Sequence, residues 1–343
     1  MELNKLLRKN ILNLKPYSSA RDEYTGEAMV FLDANENPFN QPYNRYPDPL
    51  QRSLKEKVAE VKHIAANRIF LGNGSDEAID LLIRAFCEPG TDNIVSIDPT
   101  YGMYQVAANI SDIELRKVAL TTDYQLDSEA LMAACDTHTK LIFLCSPNNP
   151  TGNSLDMEAM LAVAQKFDGL LIVDEAYIDF APGKTLLNKL AEYPNLVILQ
   201  TFSKAWGMAG IRLGMAFAST EIIRILNRIK YPYNLNILTQ QKALELLEQS
   251  EQVDDWVKRL MSERERMARE FAKFPFVVKV FPSDANFLLV HMHDARGIYN
   301  YLVEEGIIVR DRSKVNLCDN SLRITIGAET ENNILIDTLN KLI

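Results

Sequence analysis

The sequence lacks several features that would assign it to a function class at once. Only four of its 343 residues are cysteines, and no two of them form a Cys-x-x-Cys pair. Scattered cysteines in a chain of this size argue against a disulfide framework and favour a reducing compartment. No run approaches the ~20 apolar residues that span a bilayer, and the charged first 15 residues do not resemble a signal peptide. We therefore expect a soluble, cytoplasmic protein.

Positive charge is also in short supply. The chain has 37 Lys+Arg against 46 Asp+Glu, a net charge of -9, which disfavours a general role on nucleic acid or anionic membranes. The glycine spacing G-x-G-x-x-G is absent, so a nicotinamide-dependent enzyme is a poor alternative. His291 and His293 have no third ligand in the pattern, and we predict no metal site.

Short apolar runs that alternate with helical patterns are the main feature present. The helical patterns cover residues 76–87 and 156–167, and strand-length runs lie between them: Asn93–Asp98, 141–146, Leu170–Asp174 and Leu196–Thr201. Continuous apolar strands that alternate with helices indicate a mainly parallel sheet with helices on both faces. The predicted fold class is therefore α/β.

The pattern changes in the last third of the chain. A long charged helical stretch runs from about residue 235 to 273, and a helical pattern at 294–304 interrupts four alternating strand patterns at 277–281, 286–291, 307–310 and 322–326. This mixture predicts a smaller α+β domain. We divide the chain into an N-terminal arm (1–30), a large domain (31–250) and a small domain (251–343).

Polar side chains follow the apolar runs at the points where the predicted strands end. Ser-Pro-Asn-Asn-Pro-Thr-Gly occupies 146–152, Asp-Glu-Ala-Tyr occupies 174–177, and Thr-Phe-Ser-Lys occupies 201–204, with Arg212 eight residues later. Ligands of parallel sheets bind beyond the carboxyl ends of the strands, so these residues are expected to converge there.

One cofactor, pyridoxal phosphate, uses this whole set of groups. It needs an amine for a Schiff base, which Lys204 offers, and a carboxylate opposite its pyridine nitrogen, which Asp174 offers. Asn149 and Tyr177 can donate hydrogen bonds to its phenolic oxygen, and Tyr101 can stack on its ring.

A phosphate site is predicted separately at the turn of residues 71–77, Leu-Gly-Asn-Gly-Ser-Asp-Glu, which ends one strand and begins a helix. Glycines there let the backbone approach an anion that the free N–H groups of the first helical turn attract. Taken singly, each group has an ordinary explanation: Asp174 as a helix cap, Lys204 as a surface lysine, and the glycines as a plain turn. Their order along the chain, each at or after a strand end, favours the cofactor.

The sequence also resembles the histidinol-phosphate aminotransferases, which are fold-type-I pyridoxal-phosphate enzymes of histidine biosynthesis. The similarity extends from residue 16 to residue 327. It is carried by Asp-Ala-Asn-Glu-Asn-Pro at 33–38, Arg-Tyr-Pro-Asp at 45–48, Ser-Pro-Asn-Asn-Pro-Thr-Gly at 146–152, Asp-Glu-Ala-Tyr-Ile-Asp-Phe at 174–180, and the stretch 201–214.

The resemblance implies a role for individual residues. Lys204, Asp174, Asn149, Tyr177 and Tyr101 keep the roles given above. The cofactor's phosphate would be held by Ser75, Asp76, Thr201, Ser203 and Arg212.

The resemblance also implies residues that bind the substrate and the partner. Arg310 and Arg323 would bind the anionic end of the substrate beside Asn149, and Tyr17 would close over it. Tyr46 would reach the phosphate from a second subunit, which predicts a homodimer with shared active sites.

The reaction implied is the exchange of an amino group between L-histidinol phosphate and 2-oxoglutarate, giving imidazole-acetol phosphate and L-glutamate. Two alternatives share the fold: an aromatic or broad-range aminotransferase, and a lyase similar to threonine-phosphate decarboxylase. A third alternative is a binding protein that keeps the fold without catalysis, against which the intact set of Lys204, Asp174 and Arg212 argues.

Overall fold

The large sheet has seven strands in the order β1-β7-β6-β5-β4-β2-β3 in a computed structural model that describes residues 3–17, 20 and 29–343. All neighbouring strands from β6 to β3 are parallel, whereas β7 is antiparallel to both β1 and β6. The strands are β1 Ile69–Asn73, β2 Asn93–Asp98, β3 Glu114–Ala119, β4 Thr139–Cys145, β5 Leu170–Asp174, β6 Leu196–Thr201 and β7 Leu213–Phe217.

Helices cover both faces of this sheet, and nearly every residue of the central strands β4, β5, β6 and β7 is therefore buried. Along β4, Ile142 and Leu144 pack with α3, α6 and α7, while Leu141 and Phe143 pack with α4, α5 and α8. These helices are α3 Arg52–Lys62, α4 Gly74–Phe86, α5 Met103–Ile110, α6 Ser128–Ala133, α7 Met157–Lys166 and α8 Thr220–Ile229, preceded by the short α1 Leu3–Leu6 and α2 Lys9–Leu12. The predicted α/β fold class is confirmed.

Most predicted elements agree with the structure, and the differences have physical causes. The strand predicted at 141–146 is Thr139–Cys145, and the helices predicted at 76–87 and 156–167 are Gly74–Phe86 and Met157–Lys166. No sequence pattern indicated β3, because this edge strand is largely solvent-facing and carries charged residues instead of an apolar run. The buried strand β7 was also missed, because it directly follows the lysine loop without a turn signal.

The small sheet is antiparallel, in the order β10-β11-β9-β8. Its strands are β8 Val277–Val280, β9 Phe287–Met292, β10 Arg310–Asp311 and β11 Ser321–Thr325, and it packs with the helices α10 Ser250–Phe271, α11 Ala295–Glu304 and α12 Glu329–Asn340. The preceding helix, α9 Ile237–Leu247, packs against α3 of the large domain. The long helical stretch predicted from 235 to 273 is therefore two helices. The domain boundaries at 30 and 250 stay predictions, and residues 1–2, 18–19 and 21–28 of the arm lie outside the described residues.

The two faces of the small sheet meet different parts of the molecule. Leu288 and Val290 belong to a core formed with α10, α11 and α12, whereas Phe287 and Leu289 join the core of the large sheet. The small sheet therefore packs one of its faces, the one that carries Phe287 and Leu289, against the large domain. Across the described ranges, every helix is too short or too polar to cross a membrane.

Candidate active site

Asp174 lies at the carboxyl end of β5 and is fully buried. Tyr104 Oη donates a hydrogen bond to its Oδ2 (2.8 Å), and the Ala176 N–H donates to its Oδ1 (3.1 Å). Burial raises the pKa of Asp174 to about 6, while these two hydrogen bonds oppose the rise. A buried carboxylate whose hydrogen-bond donors are both neutral groups is suited to face a cationic ring nitrogen.

Tyr104 is a site residue that the sequence analysis missed. It is fully buried in the first turn of α5, and its ring stacks on Phe143 at 4.9 Å between centroids. Its hydroxyl is held by Asp174, 70 residues away along the chain. The one available signal was its spacing of three from Tyr101, which brings the two rings into an edge contact at 5.6 Å.

Lys204 lies three residues after the end of β6, beside Tyr177. Its Nζ lies 5.5 Å from the centre of the Tyr177 ring. Although part of the side chain reaches solvent, desolvation by the surrounding protein lowers the pKa of Lys204, and the charge of Arg323 lowers it further, against the opposing effect of Asp174. A lysine in this setting gives up its proton more readily than a free one.

Asn149 and Tyr177 lie together, as predicted, and they connect to Arg323. Asn149 Nδ2 donates to Tyr177 Oη (3.3 Å), and Arg323 Nη1 donates to Asn149 Oδ1 (2.6 Å). The arginine therefore orients the Asn149 amide with its N–H groups toward Tyr177. Burial is the main cause that raises the pKa of Tyr177, so its hydroxyl keeps its proton and can donate it in a hydrogen bond.

The predicted phosphate residues form a cradle where β1 turns into α4. Gly74 has φ +71, and its N–H donates to the Arg212 carbonyl (2.8 Å). A Cβ at Gly74 would lie 2.9 Å from Arg212 Nη2, and one at Gly214 would collide with the backbone nitrogen of Ser75. Both positions therefore require glycine.

Hydroxyls and charges surround this cradle. Thr201 pairs with Gly214 across the strands β6 and β7, and its Oγ1 donates to Ser203 Oγ (3.0 Å). Arg212 Nη2 lies 3.6 Å from Asp76 Oδ2. Two hydroxyls, a guanidinium and the first-turn N–H groups of a 13-residue helix are the donors that a phosphate dianion needs. These donors and the buried Asp174 fit pyridoxal phosphate.

The three remaining predicted tyrosines are Tyr101, Tyr17 and Tyr46. Tyr101 is tied to the cradle by a hydrogen bond from its Oη to Asp76 Oδ1 (3.1 Å). Tyr17 is 72% exposed, and Tyr46 is 50% exposed and stacks on Tyr233 with ring centres 4.4 Å apart. In the described part of the chain, Tyr17 forms no hydrogen bond or ring contact with another predicted site residue.

Arg310 and Arg323 lie directly opposite each other in the antiparallel pair of β10 and β11. Their side chains therefore leave the small sheet on the same face, the one that carries Phe287. The Arg323 guanidinium lies over the Phe287 ring at 5.4 Å. Together with the contact to Asn149, this places a cationic surface next to the lysine and the buried carboxylate.

Comparison with known proteins gives the same picture. The family model for aminotransferase class I and II matches residues 24–339. A histidinol-phosphate aminotransferase of Bacteroides fragilis is 59% identical over 340 residues, which are 99% of each chain.

Solved structures agree as well. The histidinol-phosphate aminotransferase of Clostridium acetobutylicum superposes with a TM-score of 0.81 at 25% identity, covering 88% of this chain and 91% of that one. The enzyme of that name from Sinorhizobium meliloti, solved in complex with pyridoxal-5'-phosphate, has a TM-score of 0.79 at 25% identity, with coverages of 87% and 84%.

Proposed function

The chain belongs to the aminotransferase class I and II family, and from this premise we propose that it transfers the amino group of L-histidinol phosphate to 2-oxoglutarate. The products would be imidazole-acetol phosphate and L-glutamate. The chain is a fold-type-I aminotransferase that uses pyridoxal 5'-phosphate. The choice of substrate is supported by the 59% identity to a histidinol-phosphate aminotransferase over 99% of each chain, and the contact between Arg323 and Asn149 supports an anion-binding surface next to the cofactor site.

Asp174, Tyr177 and Asn149 are proposed to hold the cofactor's ring. When bound, the cofactor supplies a protonated pyridine ring that withdraws electrons from the reacting carbon of the substrate. Asp174 would keep the ring nitrogen protonated, and Tyr104 would hold the Asp174 carboxylate in place. Asn149 and Tyr177 would donate hydrogen bonds to the phenolic oxygen, and Tyr101 would cover the ring face.

Lys204 is proposed to form the covalent bond to the cofactor and then to act as base and acid. Its lowered pKa increases the fraction of neutral amine at pH 7. Once the donor's amine has replaced it on the cofactor, Nζ would take the proton from the donor's reacting carbon and deliver it to C4′ of the cofactor, and it would run the same transfer in reverse with the keto acid.

The cofactor's phosphate is proposed to be held by Ser75, Asp76, Thr201, Ser203 and Arg212. The support is the cradle, in which the start of α4, two hydroxyls and a guanidinium come together around two required glycines. A phosphate fixed there would anchor the ring between Tyr101 and the residues of β5 and β6.

Arg310 and Arg323 are proposed to bind the substrate's anionic end, with Tyr17 closing over it. A guanidinium offers a planar pair of donors that suits both a phosphate and a carboxylate. The same two residues can therefore serve the phosphate-bearing donor and the dicarboxylate acceptor.

A homodimer is proposed to complete the site. Large apolar side chains are exposed in one stretch of the chain: Met29, Val30, Leu32, Phe39, Tyr43 and Tyr46. Exposed apolar patches of this kind mark protein interfaces, and Tyr46 would reach the phosphate of the second subunit from there. Phe39→Asp should yield monomers in sedimentation experiments and weaken cofactor binding. A Phe39→Asp protein that stays dimeric and binds the cofactor as tightly as the wild type would contradict this assignment. The cytoplasmic location stays a prediction.

An amino-donor panel with the purified holoenzyme tests the proposed reaction. Histidinol phosphate, phenylalanine and threonine phosphate are compared as donors with 2-oxoglutarate as acceptor, and carbon dioxide release is followed in parallel. We expect the largest kcat/KM with histidinol phosphate and no carbon dioxide. A preference for phenylalanine would indicate an aromatic aminotransferase, and carbon dioxide from threonine phosphate would indicate a lyase.

A further inference from the structure

Arg312 extends the row of arginines on the face of the small sheet that looks toward Asn149. Its N–H donates to the Ser321 carbonyl (2.9 Å), which continues the ladder of β10 and β11 by one residue pair. Side chains two positions apart on a strand point to the same face. Arg310 and Arg312 therefore project on the side of Arg323, and Asp311 between them projects to the other side.

The two faces differ in how their charges are paired. On the far side, Asp311 Oδ2 accepts a hydrogen bond from Arg296 Nη1 (2.8 Å). On the near side, neither Arg310 nor Arg312 forms an ion pair within the described ranges 3–17, 20 and 29–343, and Arg323 bonds only the neutral Asn149 side chain. Arg312 Nε is buried and has no hydrogen-bond partner among the described residues.

The surroundings of Arg312 place it at the site rather than at a remote surface. Burial lowers the pKa of Arg312 to about 10, and the charges of Arg323 and Arg310 add to this, while Cys318 and Tyr177 act in the opposite direction. Tyr177 is one of the cofactor-binding residues proposed above. Arg312 remains a cation at neutral pH, and the cluster carries three positive charges, none of which pairs with an acid among the described residues.

We infer that Arg312 is a third arginine of the substrate's anion site and makes that site prefer a dianionic phosphate monoester over a carboxylate. The inference rests on the proposed function, because it concerns the same substrate site. A phosphate monoester carries a charge of about -1.5 to -2 at pH 7, against -1 for a carboxylate. A third cation therefore adds more attraction for the phosphate, which also has one more oxygen to accept its N–H groups.

Arg312→Gln in the holoenzyme tests this inference. We expect the KM for histidinol phosphate to rise about 10-fold or more, the loss of one charge-assisted hydrogen bond, while the KM for glutamate rises less than about 3-fold. Inorganic phosphate, measured as a competitive inhibitor against glutamate, should lose affinity by the same factor as histidinol phosphate. The kcat with either donor should stay within about 2-fold, since Arg312 contacts no reacting atom.

Two further variants serve as controls. Lys314→Gln removes the same charge from an exposed side chain of the same loop and should leave both KM values within about 2-fold. Arg312→Lys keeps the charge without the planar fork, and we expect an intermediate rise in the KM for histidinol phosphate. If Arg312→Gln unfolds at a lower temperature than the wild type or loses the visible absorbance of the cofactor, the KM of Arg312→Lys for histidinol phosphate tests the inference instead.

Two results would overturn the inference: equal rises in KM for both donors, or changes no larger than those of Lys314→Gln. A wild-type enzyme that cannot use histidinol phosphate would instead refute the proposed function. In that case the inhibition constant of inorganic phosphate decides alone whether Arg312 serves a dianion.

Discussion

The carboxyl edge of the large sheet and the arginine-bearing face of the small sheet differ in whether their polar groups have partners. At the edge, the Asp174 carboxylate accepts two hydrogen bonds, and Gly74 is tied to Arg212. On the arginine-bearing face (Arg310, Arg312 and Arg323), three cations lie together, and Arg323 alone has a side-chain hydrogen bond within the described residues.

This difference matches two kinds of ligand. A cofactor that stays bound can be received by groups that are already held in place, since a preorganised site loses little conformational freedom on binding. A substrate that enters and leaves in each cycle is better served by charges that only the substrate neutralises. Unbalanced cations weaken the fold slightly and increase the attraction for an anion.

Among the substitutions considered, removal of the Asp174 carboxylate is expected to have the largest effect on activity. Asp174→Ala should lower kcat/KM by on the order of 10³-fold, because removing one side of a buried charge pair leaves the cationic ring without a partner. Steady-state rates measure this, and Asp179→Ala, which breaks an ion pair with Lys62, is the matched control with an expected change below about 2-fold. A loss of less than about 10-fold in Asp174→Ala would mean that the carboxylate does not face the ring.

Arg323→Gln tests the other region. We expect the KM of both the amino donor and the keto acid to rise about 30-fold or more, because a charged hydrogen bond to each anion is lost, while the cofactor's absorbance is retained. Arg296→Gln removes an arginine of α11 that pairs with Asp311 on the opposite side of the sheet, and it should change neither KM. If the cofactor is lost together with substrate affinity, the two regions are not functionally separate.

Tyr104→Phe tests how the Tyr104 hydroxyl affects the ionisation of Asp174 at the carboxyl edge. The Tyr104 hydroxyl lowers the pKa of Asp174 from what burial alone would give, so its removal should raise that pKa above about 6. Asp174 would then be less ionised at pH 7. Cofactor affinity should fall about 10-fold at pH 7, and its decline with falling pH should begin at a higher pH than in the wild type.

Cofactor titrations monitored by absorbance between pH 5.5 and 8.5 would measure the effect. Tyr301→Phe, which removes a hydroxyl hydrogen bond in α11, is the control. An unchanged pH profile in Tyr104→Phe would show that its hydroxyl does not control Asp174.

Glu175→Gln should have the smallest effect on activity, because this neighbour of Asp174 serves the fold. Its carboxylate accepts hydrogen bonds from the Leu186 N–H, Thr185 and Gln200. Burial raises the pKa of Glu175 from 4.5 to about 7, so its ionisation destabilises the folded state. This destabilisation is absent below pH 4.5 and complete above pH 7, where it amounts to about 3 kcal/mol in the free energy of unfolding.

Urea unfolding of the cofactor-free protein at pH 5 and pH 8 would measure that difference. The wild type should lose stability between the two pH values, and Glu175→Gln should lose less. Equal losses in the two proteins would contradict the assignment, and a large loss of activity in Glu175→Gln would mean that the residue belongs to the site.

The sequence predicted most strands of the large sheet and the placement of Lys204, Asp174 and Asn149 at or after strand ends, because the signal for both is local. An apolar run ends, a polar residue follows, and parallel strands bring such ends to one edge. Asp174 is the last residue of β5, and Lys204 lies three residues after the end of β6. Tyr104 could not be found by this rule, because it sits in an apolar helix and its partner is 70 residues away.

Arg312 escaped prediction for a different reason. The strand β10 is only two residues long, and the position of Arg312 depends on its register against β11. Register is a property of two paired strands, and no local pattern in either one states it. The antiparallel direction of β7 is likewise set by its neighbours β1 and β6.

Borohydride reduction of the holoenzyme followed by peptide mapping tests the central claim most directly, because it fixes the cofactor on the amine that holds it. We predict a single modified residue, Lys204, within the peptide that begins after β6. Lys55, whose pKa burial lowers to about 8, is an internal comparison and should stay unmodified. Modification at Lys55 or at any lysine other than Lys204, or at none, would contradict the account.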